Sequence, residues 1–141
     1  MNEKLKQLYQ SVILEHSNHP VQFEQRADRA YTLDAYNPLC GDRFALYFDV
    51  EEGKICRISF HGYGCAISKA STSVLVKRLE GKTLAEAAEL CRAFAAVAQP
   101  DAPLPADLDE EFEAFAAARE FPGRIKCATL SWEEMAGFLG T

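Results

Sequence analysis

The stretch "RFALYFDVEEGKICRISFHGYGC", residues 43–65, decides the fold. Its first part alternates, with Phe44, Leu46, Phe48 and Val50 on one face and Ala45 and Tyr47 on the other. A period of two marks a half-buried strand, because successive side chains leave a pleated backbone on opposite faces. Beyond Glu51, Glu52 and Gly53, a second apolar set follows at Cys56, Ile58 and Phe60. The two runs predict a hairpin in which 51–53 form a three-residue loop and Gly53 takes its left-handed position. Directly opposite residues share a face, so the apolar sets must pair. Phe48 is expected across from Cys56, Leu46 from Ile58 and Phe44 from Phe60. Extended outward, this register brings Asp42 to Gly62 and Cys40 to Gly64, one residue from Cys65. Strands lie about 5 Å apart, so Cys40, Asp42 and Cys65 should converge at the end of the sheet away from the loop.

The flanks extend the picture. "NPLCGD", residues 37–42, sets Cys40 between Pro38 and Gly41, which places a thiol on a turn at the lip of the strand. "YTLDA", 31–35, reads as another short strand. Near the N-terminus, Leu5, Leu8, Val12 and Ile13 share one face of a helix that Pro20 stops. After Gly64 the period lengthens. Ile67, Ala70, Val74, Leu75 and Leu79 predict a helix over 65–80, with Cys65 in its first turn, where free N–H groups favour a thiolate. Thr83 and Glu86 form a capping box for a helix over 84–98. "QPDAPLPADLDEEFE", 99–113, is a Pro-rich acidic link into a short helix near 108–118. "FPGRIKC", 121–127, reads as a loop, and Ser131 with Glu134 is expected to cap a last helix over 132–139, with Cys127 just ahead of it.

A chain of 141 residues is most simply one domain, long enough to bury a core without staples. With 48% hydrophobic and 26% charged residues it has the composition of an ordinary soluble protein. Its net charge of -6 argues against broad binding to nucleic acid or an anionic membrane, which demand clustered Lys and Arg. No apolar run approaches the roughly 18 residues of a membrane span, and the N-terminal stretch has no signal-peptide block. These features predict a cytoplasmic protein. In a reducing compartment its five cysteines are expected as metal ligands, reactive thiols or core fillers rather than disulfides. No C-x-x-C pair occurs, so any shared site must be assembled by the fold.

Cys56, on the apolar strand face, and Cys91, within a helix, read as core fillers. Cys40, Cys65 and Cys127 lie instead at element boundaries. With Asp42 they supply three thiolates and one carboxylate, a set that can complete a tetrahedral zinc shell. Asp42 also reads as a turn-capping carboxylate. His16 and His19 close the first helix and read as solvated or helix-end cations. His61 points away from the face of Phe60 and is a second-choice ligand. Ser68, Ser71, Thr72 and Ser73 read as helix filler, and the sequence presents no Ser/His/Asp arrangement or phosphate-binding glycine loop.

"NPLCGD", "FHGYGCAISKASTS" and "RIKCATLSW", in this order, resemble the U-type iron-sulfur assembly proteins, the SufU/IscU family. "LYQSVILEHSNHP" is similar to that family's opening helix and "LEGKTLAEA" to the segment after its second cysteine. The resemblance implies an α+β fold, a three-stranded antiparallel sheet packed by about five helices, with the cysteines at one end. Lys126 stands where the housekeeping scaffold branch has a histidine, and that branch's Leu-Pro-Pro-Val-Lys motif is absent. The 61 residues between Cys65 and Cys127 resemble the spacing of the SufU branch, whose insertion is expected around 84–106. The resemblance therefore implies a zinc-dependent sulfurtransferase that takes persulfide sulfur from a pyridoxal-phosphate-dependent cysteine desulfurase and delivers it to a downstream iron-sulfur assembly scaffold. It implies metal ligands Cys40, Asp42, Cys65 and Cys127. Cys40, on the exposed Pro/Gly-flanked turn, is expected as the nucleophile, and Arg124 and Lys126, near in sequence, read either as offsetting the shell's charge or as solvated charges. The alternatives are a scaffold holding iron as a [2Fe-2S] cluster on the same ligands and a structural zinc module.

Overall fold

The computed structural model describes residues 2–105 and 107–141. Ala106, within the expected 84–106 insertion, lies outside them, as does Met1. The expected class is borne out. Strands β1 (Tyr31–Asn37), β2 (Asp42–Glu51) and β3 (Lys54–Tyr63) form one antiparallel sheet in the order β1-β2-β3. Among the described residues five helical units pack it: α1, a continuous run of Glu3–Leu8, Tyr9–Leu14 and Glu15–Asn18; α2, Ala66–Leu79; α3, Leu84–Ala98; α4, Glu110–Glu113 tightening into a 3-10 turn over Ala114–Glu120; and α5, Ile125–Leu139, entered through a 3-10 turn over Pro122–Arg124.

The hairpin forms, but its register differs from the expected one. Glu51 pairs with Lys54, leaving a two-residue loop of Glu52 and Gly53, both with positive φ (53° and 74°). That is the primed turn whose twist matches the strands, and it removes one residue from the expected loop. A second slip follows at a β-bulge. Tyr47 pairs with Ser59 and Asp49 with Cys56, so Arg57 and Ile58 together oppose Phe48. Arg57 takes φ 53° there, with its guanidinium on Asp49 and Glu51 and its N–H on Glu80. The bulge switches phase within β3, so Ile55, Ile58 and Phe60 enter the core. Cys56 turns to the other face, half-exposed, and is not the core filler its position in the pattern predicted.

Beyond the bulge the total slip is two residues, so the faces are restored. Leu46 lies across from Phe60 and Phe44 from Gly62. Phe44, Leu46 and Phe48 are fully buried. A second part of the core joins α3, α4 and α5, where Phe94 stacks on Trp132 (centroids 4.4 Å apart) beside Phe112 and Phe115.

The helix bounds refine the expectations. α3 starts on its Thr83/Glu86 capping box as read, and Cys91 is buried in it. The last helix begins at Ile125, well before the expected residue 132, so Cys127 lies inside its first turn. Ser131 caps nothing. It is buried in mid-helix with its hydroxyl 2.7 Å from Thr72 Oγ1. The serines and threonine of α2 are likewise not filler: Ser71 Oγ donates to Ala128 O (2.5 Å) and accompanies Thr72 in tying α2 to α5. Trp132 Nε1 adds a bond to Ser71 O (3.2 Å). Apolar periodicity could not find this helix start, because a buried polar seam holds it.

Candidate metal centre

Four chain segments meet where β2 begins. The turn after β1 carries Cys40, the first residue of β2 is Asp42, Cys65 precedes α2, and Cys127 lies in the first turn of α5. The expected convergence of Cys40, Asp42 and Cys65 is therefore present, and the α2–α5 seam adds Cys127. Cys65 is not in the first turn of α2 but is its N-cap, with Ser68 N–H donating to its Sγ at 3.4 Å. A side chain at that position accepts an orphan backbone donor.

The distances among Cys40, Asp42 and Cys127 suit a single ion. Cys40 Sγ lies 3.2 Å from Asp42 Oδ2 and 3.5 Å from Cys127 Sγ, and Cys65 Sγ lies 4.0 Å from the same Asp42 oxygen. Ligand atoms of Cys40, Asp42 and Cys127 all fall within 4.8 Å of one another; the Cys65 sulfur stands outside that group, beside it through Asp42 Oδ2. Bonds of about 2.0 to 2.3 Å to a tetrahedral centre put neighbouring ligand atoms about 3.3 to 3.8 Å apart, close to these separations. Asp42 is 3% exposed, and its other oxygen accepts from Cys65 N–H at 3.0 Å. The carboxylate thus fastens the strand to the start of α2 while leaving Oδ2 toward the thiols. The expected turn-capping bond is not the one Asp42 makes: Oδ1 accepts from Cys65 N–H, 23 residues on, and Oδ2 faces Cys40 Sγ.

Electrostatics point the same way. Burial pushes the Cys127 thiol far up from its ordinary value, and Asp42 and Cys40 beside it add to the rise. A cation beside these groups would offset negative charge gathered there. The cation the chain itself supplies is Arg124. The Cys65 and Cys127 sulfurs it faces raise its guanidinium above the ordinary value. Lys126 does not join it; its ammonium pairs with Glu133 at 2.6 Å.

The remaining candidates separate from the centre. Burial lifts the Cys91 thiol to about 12, a chemically quiet group. His61 is exposed and packs against Phe23. His19 is a solvated helix-end partner of Glu15. His16 is not solvated as expected. Its Nδ1 lies 2.7 Å from Ser73 Oγ and its Nε2 3.3 Å from Glu111. This Ser-His-Glu chain escaped the sequence reading because its members are 57 and 38 residues apart. Ser73 is fully buried and accepts from Val21 N–H, so the chain fastens α1 to the body rather than offering a nucleophile. Asn37 was also missed: its Nδ2 donates to Cys40 Sγ at 2.9 Å.

The family described as the NifU-like N terminal domain matches residues 8–128. The chain belongs to that family. Among its relatives are the iron-sulfur cluster assembly scaffold protein IscU of Streptococcus pyogenes serotype M1, 38% identical over 94% of this chain and 82% of that protein, and the zinc-dependent sulfurtransferase SufU of Bacillus subtilis, 34% identical over 95% and 90%. The resemblance to SufU/IscU proteins is thus borne out. Among solved structures, FiSufU of Fervidobacterium islandicum AW-1, described as an iron-sulfur cluster assembly scaffold protein for the SUF system, aligns with TM-score 0.81 at 28% identity, covering 92% of this chain and 94% of its own. A NifU-like N-terminal protein from Brucella abortus shares the fold, with TM-score 0.79 at 20% identity over 96% of this chain and 94% of its own. Among the described residues no helix is long and apolar enough to cross a membrane.

Proposed function

We propose that this NifU-like protein serves iron-sulfur cluster assembly as a zinc-dependent sulfurtransferase of the SufU kind. It takes sulfur from a pyridoxal-phosphate-dependent cysteine desulfurase and passes it to a downstream assembly scaffold in the cytoplasm. One observation carries the reading. Within a thiol-carboxylate cluster whose Asp42 and Cys127 are buried, Cys40 is exposed on a turn. A buried thiol can only hold something, whereas an exposed one can also meet a partner's sulfur.

Cys40, Asp42, Cys65 and Cys127 would hold the ion. Bound zinc would keep the thiols deprotonated at neutral pH without redox chemistry of its own. In the transfer, the Cys40 thiolate attacks the outer sulfur of the desulfurase persulfide. A new S–S bond forms on Cys40 as the old one breaks. The desulfurase cysteine leaves as thiolate, and the electron count closes without an oxidant. Arg124, beside Cys65 and Cys127, offsets part of the charge that three thiolates and a carboxylate bring together. The 61 residues between Cys65 and Cys127, with their Pro-rich acidic link, support this branch.

Cys40→Ala should abolish uptake of labelled sulfur from the desulfurase while the protein stays folded with weakened metal binding. Continued labelling of Cys40→Ala at the wild-type rate would overturn the assignment. A second reading, favoured by the scaffold description of the Streptococcus pyogenes relative, places a [2Fe-2S] cluster on the same residues. Aerobically purified protein that is coloured and contains iron would establish it; colourless protein with one zinc would support sulfur transfer. Colourless zinc protein that accepts no sulfur would be a structural zinc module.

A further inference from the structure

The turn that presents Cys40 is closed by one side chain. Asn37 ends β1 opposite Asp42 and is 4% exposed. Its backbone carbonyl accepts from Gly41 N–H (2.8 Å), and its Oδ1 accepts from Leu39 N–H (3.1 Å). A backbone N–H can only donate, so that contact fixes which end of the carboxamide is oxygen and turns Nδ2 toward Cys40 Sγ, 2.9 Å away. The other groups against this sulfur are Asp42 Oδ2 and Cys127 Sγ, which become acceptors once ionised. Arg124 faces Cys65 and Cys127 instead. Asn37 is therefore the N–H donor to the Cys40 sulfur among the described residues.

We propose that Asn37 is a positioning residue for the transfer thiol: its Nδ2–H bond holds Cys40 in the resting ligand set and restrains its reaction until a partner draws it out. The inference rests on the sulfur-transfer reading for its purpose, not for its geometry. A donor to a thiolate draws electron density from sulfur, so the bonded thiolate is a weaker nucleophile. Because Asn37 is buried, a departing Cys40 leaves Nδ2 without an acceptor, which favours the thiol's return. Restraint and reset then come from a single bond.

Asn37→Asp is the discriminating variant. It keeps an oxygen for Leu39 N–H and so the turn, but loses the donor to sulfur. Asn37→Ala loses both, and Leu39→Ala, at a side chain 94% exposed, is the control. In zinc-loaded protein, alkylation of Cys40 by iodoacetamide, followed by peptide mass, should rise about tenfold in Asn37→Asp and Asn37→Ala, the size expected for one hydrogen bond to a charged group. In cobalt(II)-substituted protein the thiolate-to-cobalt absorption should move to lower energy in both variants and stay in place in Leu39→Ala. An Asn37→Asp protein that is folded by circular dichroism and keeps wild-type alkylation and absorption overturns the proposal. Failure of the wild-type protein to accept sulfur would overturn the transfer reading, and the alkylation and cobalt results would still decide for Asn37.

Discussion

Gly64 lies one residue before Cys65, and filling its one missing carbon should disable the centre. A Cβ there would sit 2.5 Å from Ser68 Oγ, 2.8 Å from Asp42 Oδ1 and 2.8 Å from Phe44 Cε2. Unstrained carbon contacts begin near 3.5 Å, so each neighbour must retreat by more than half an ångström. Phe44 is fully buried, and Asp42 cannot retreat without stretching its bond from Cys65 N–H. Overpacking of this kind costs about 1–3 kcal/mol, and for a chain of this size each kcal/mol lowers Tm by about 3 °C. The displaced carboxylate should weaken metal binding about 10- to 100-fold, as loss of a ligand's supporting contact does. Thermal melts of metal-free protein and zinc competition against a chromophoric chelator would read both effects. Gly123→Ala is the control, because a Cβ there meets nothing within 4 Å. If Gly64→Ala melts with that control and holds zinc within twofold of it, the packing argument for the site is wrong.

Two further outcomes follow from the rest of the fold. Phe94 is fully buried against Trp132, Phe112 and Phe115, so Phe94→Ala should cost about 3–5 kcal/mol, read as a lowered urea midpoint; a loss under 1 kcal/mol would contradict the packing. Burial pushes the Glu111 carboxyl up, but hydrogen bonds from His16, Lys77 and Arg78 and the Lys77 charge outweigh it and bring it to about 2, against an ordinary 4.5. A carboxyl depressed on folding stabilises the protein above its unfolded value and loses that contribution as pH falls from about 4.5 toward 2. Glu111→Gln should flatten stability against pH in this window, and a wild-type slope in the variant would assign the acid sensitivity elsewhere.

Much of the architecture was legible in the chain because its elements carry their own periods and punctuation. The alternation at 43–50, Gly53, and the Thr83/Glu86 capping box are local signals; the first and last act as read, and Gly53 keeps its left-handed φ in a loop one residue shorter than expected. The hairpin also brought Cys40 and Asp42 toward Cys65 despite its misjudged register, because the loop and bulge together slip the pairing by two residues and an even slip returns every side chain to its face. Cys56 falls between the two slips, where the count is odd, and so it was misplaced.

What the sequence determined by itself was the kind of residue available: three boundary cysteines, a carboxylate two residues from the first, and strands to carry them. Only the tertiary structure decided that Cys127 and Arg124 join the groups the hairpin gathers. Cys127 joins through a buried hydroxyl seam between helices whose residues lie 57 and 59 positions apart. Arg124 faces the sulfurs while Lys126 turns to Glu133, although both lie near Cys127 in sequence. Periodicity records which face of an element avoids water, but a directional bond to a distant partner leaves no period to read.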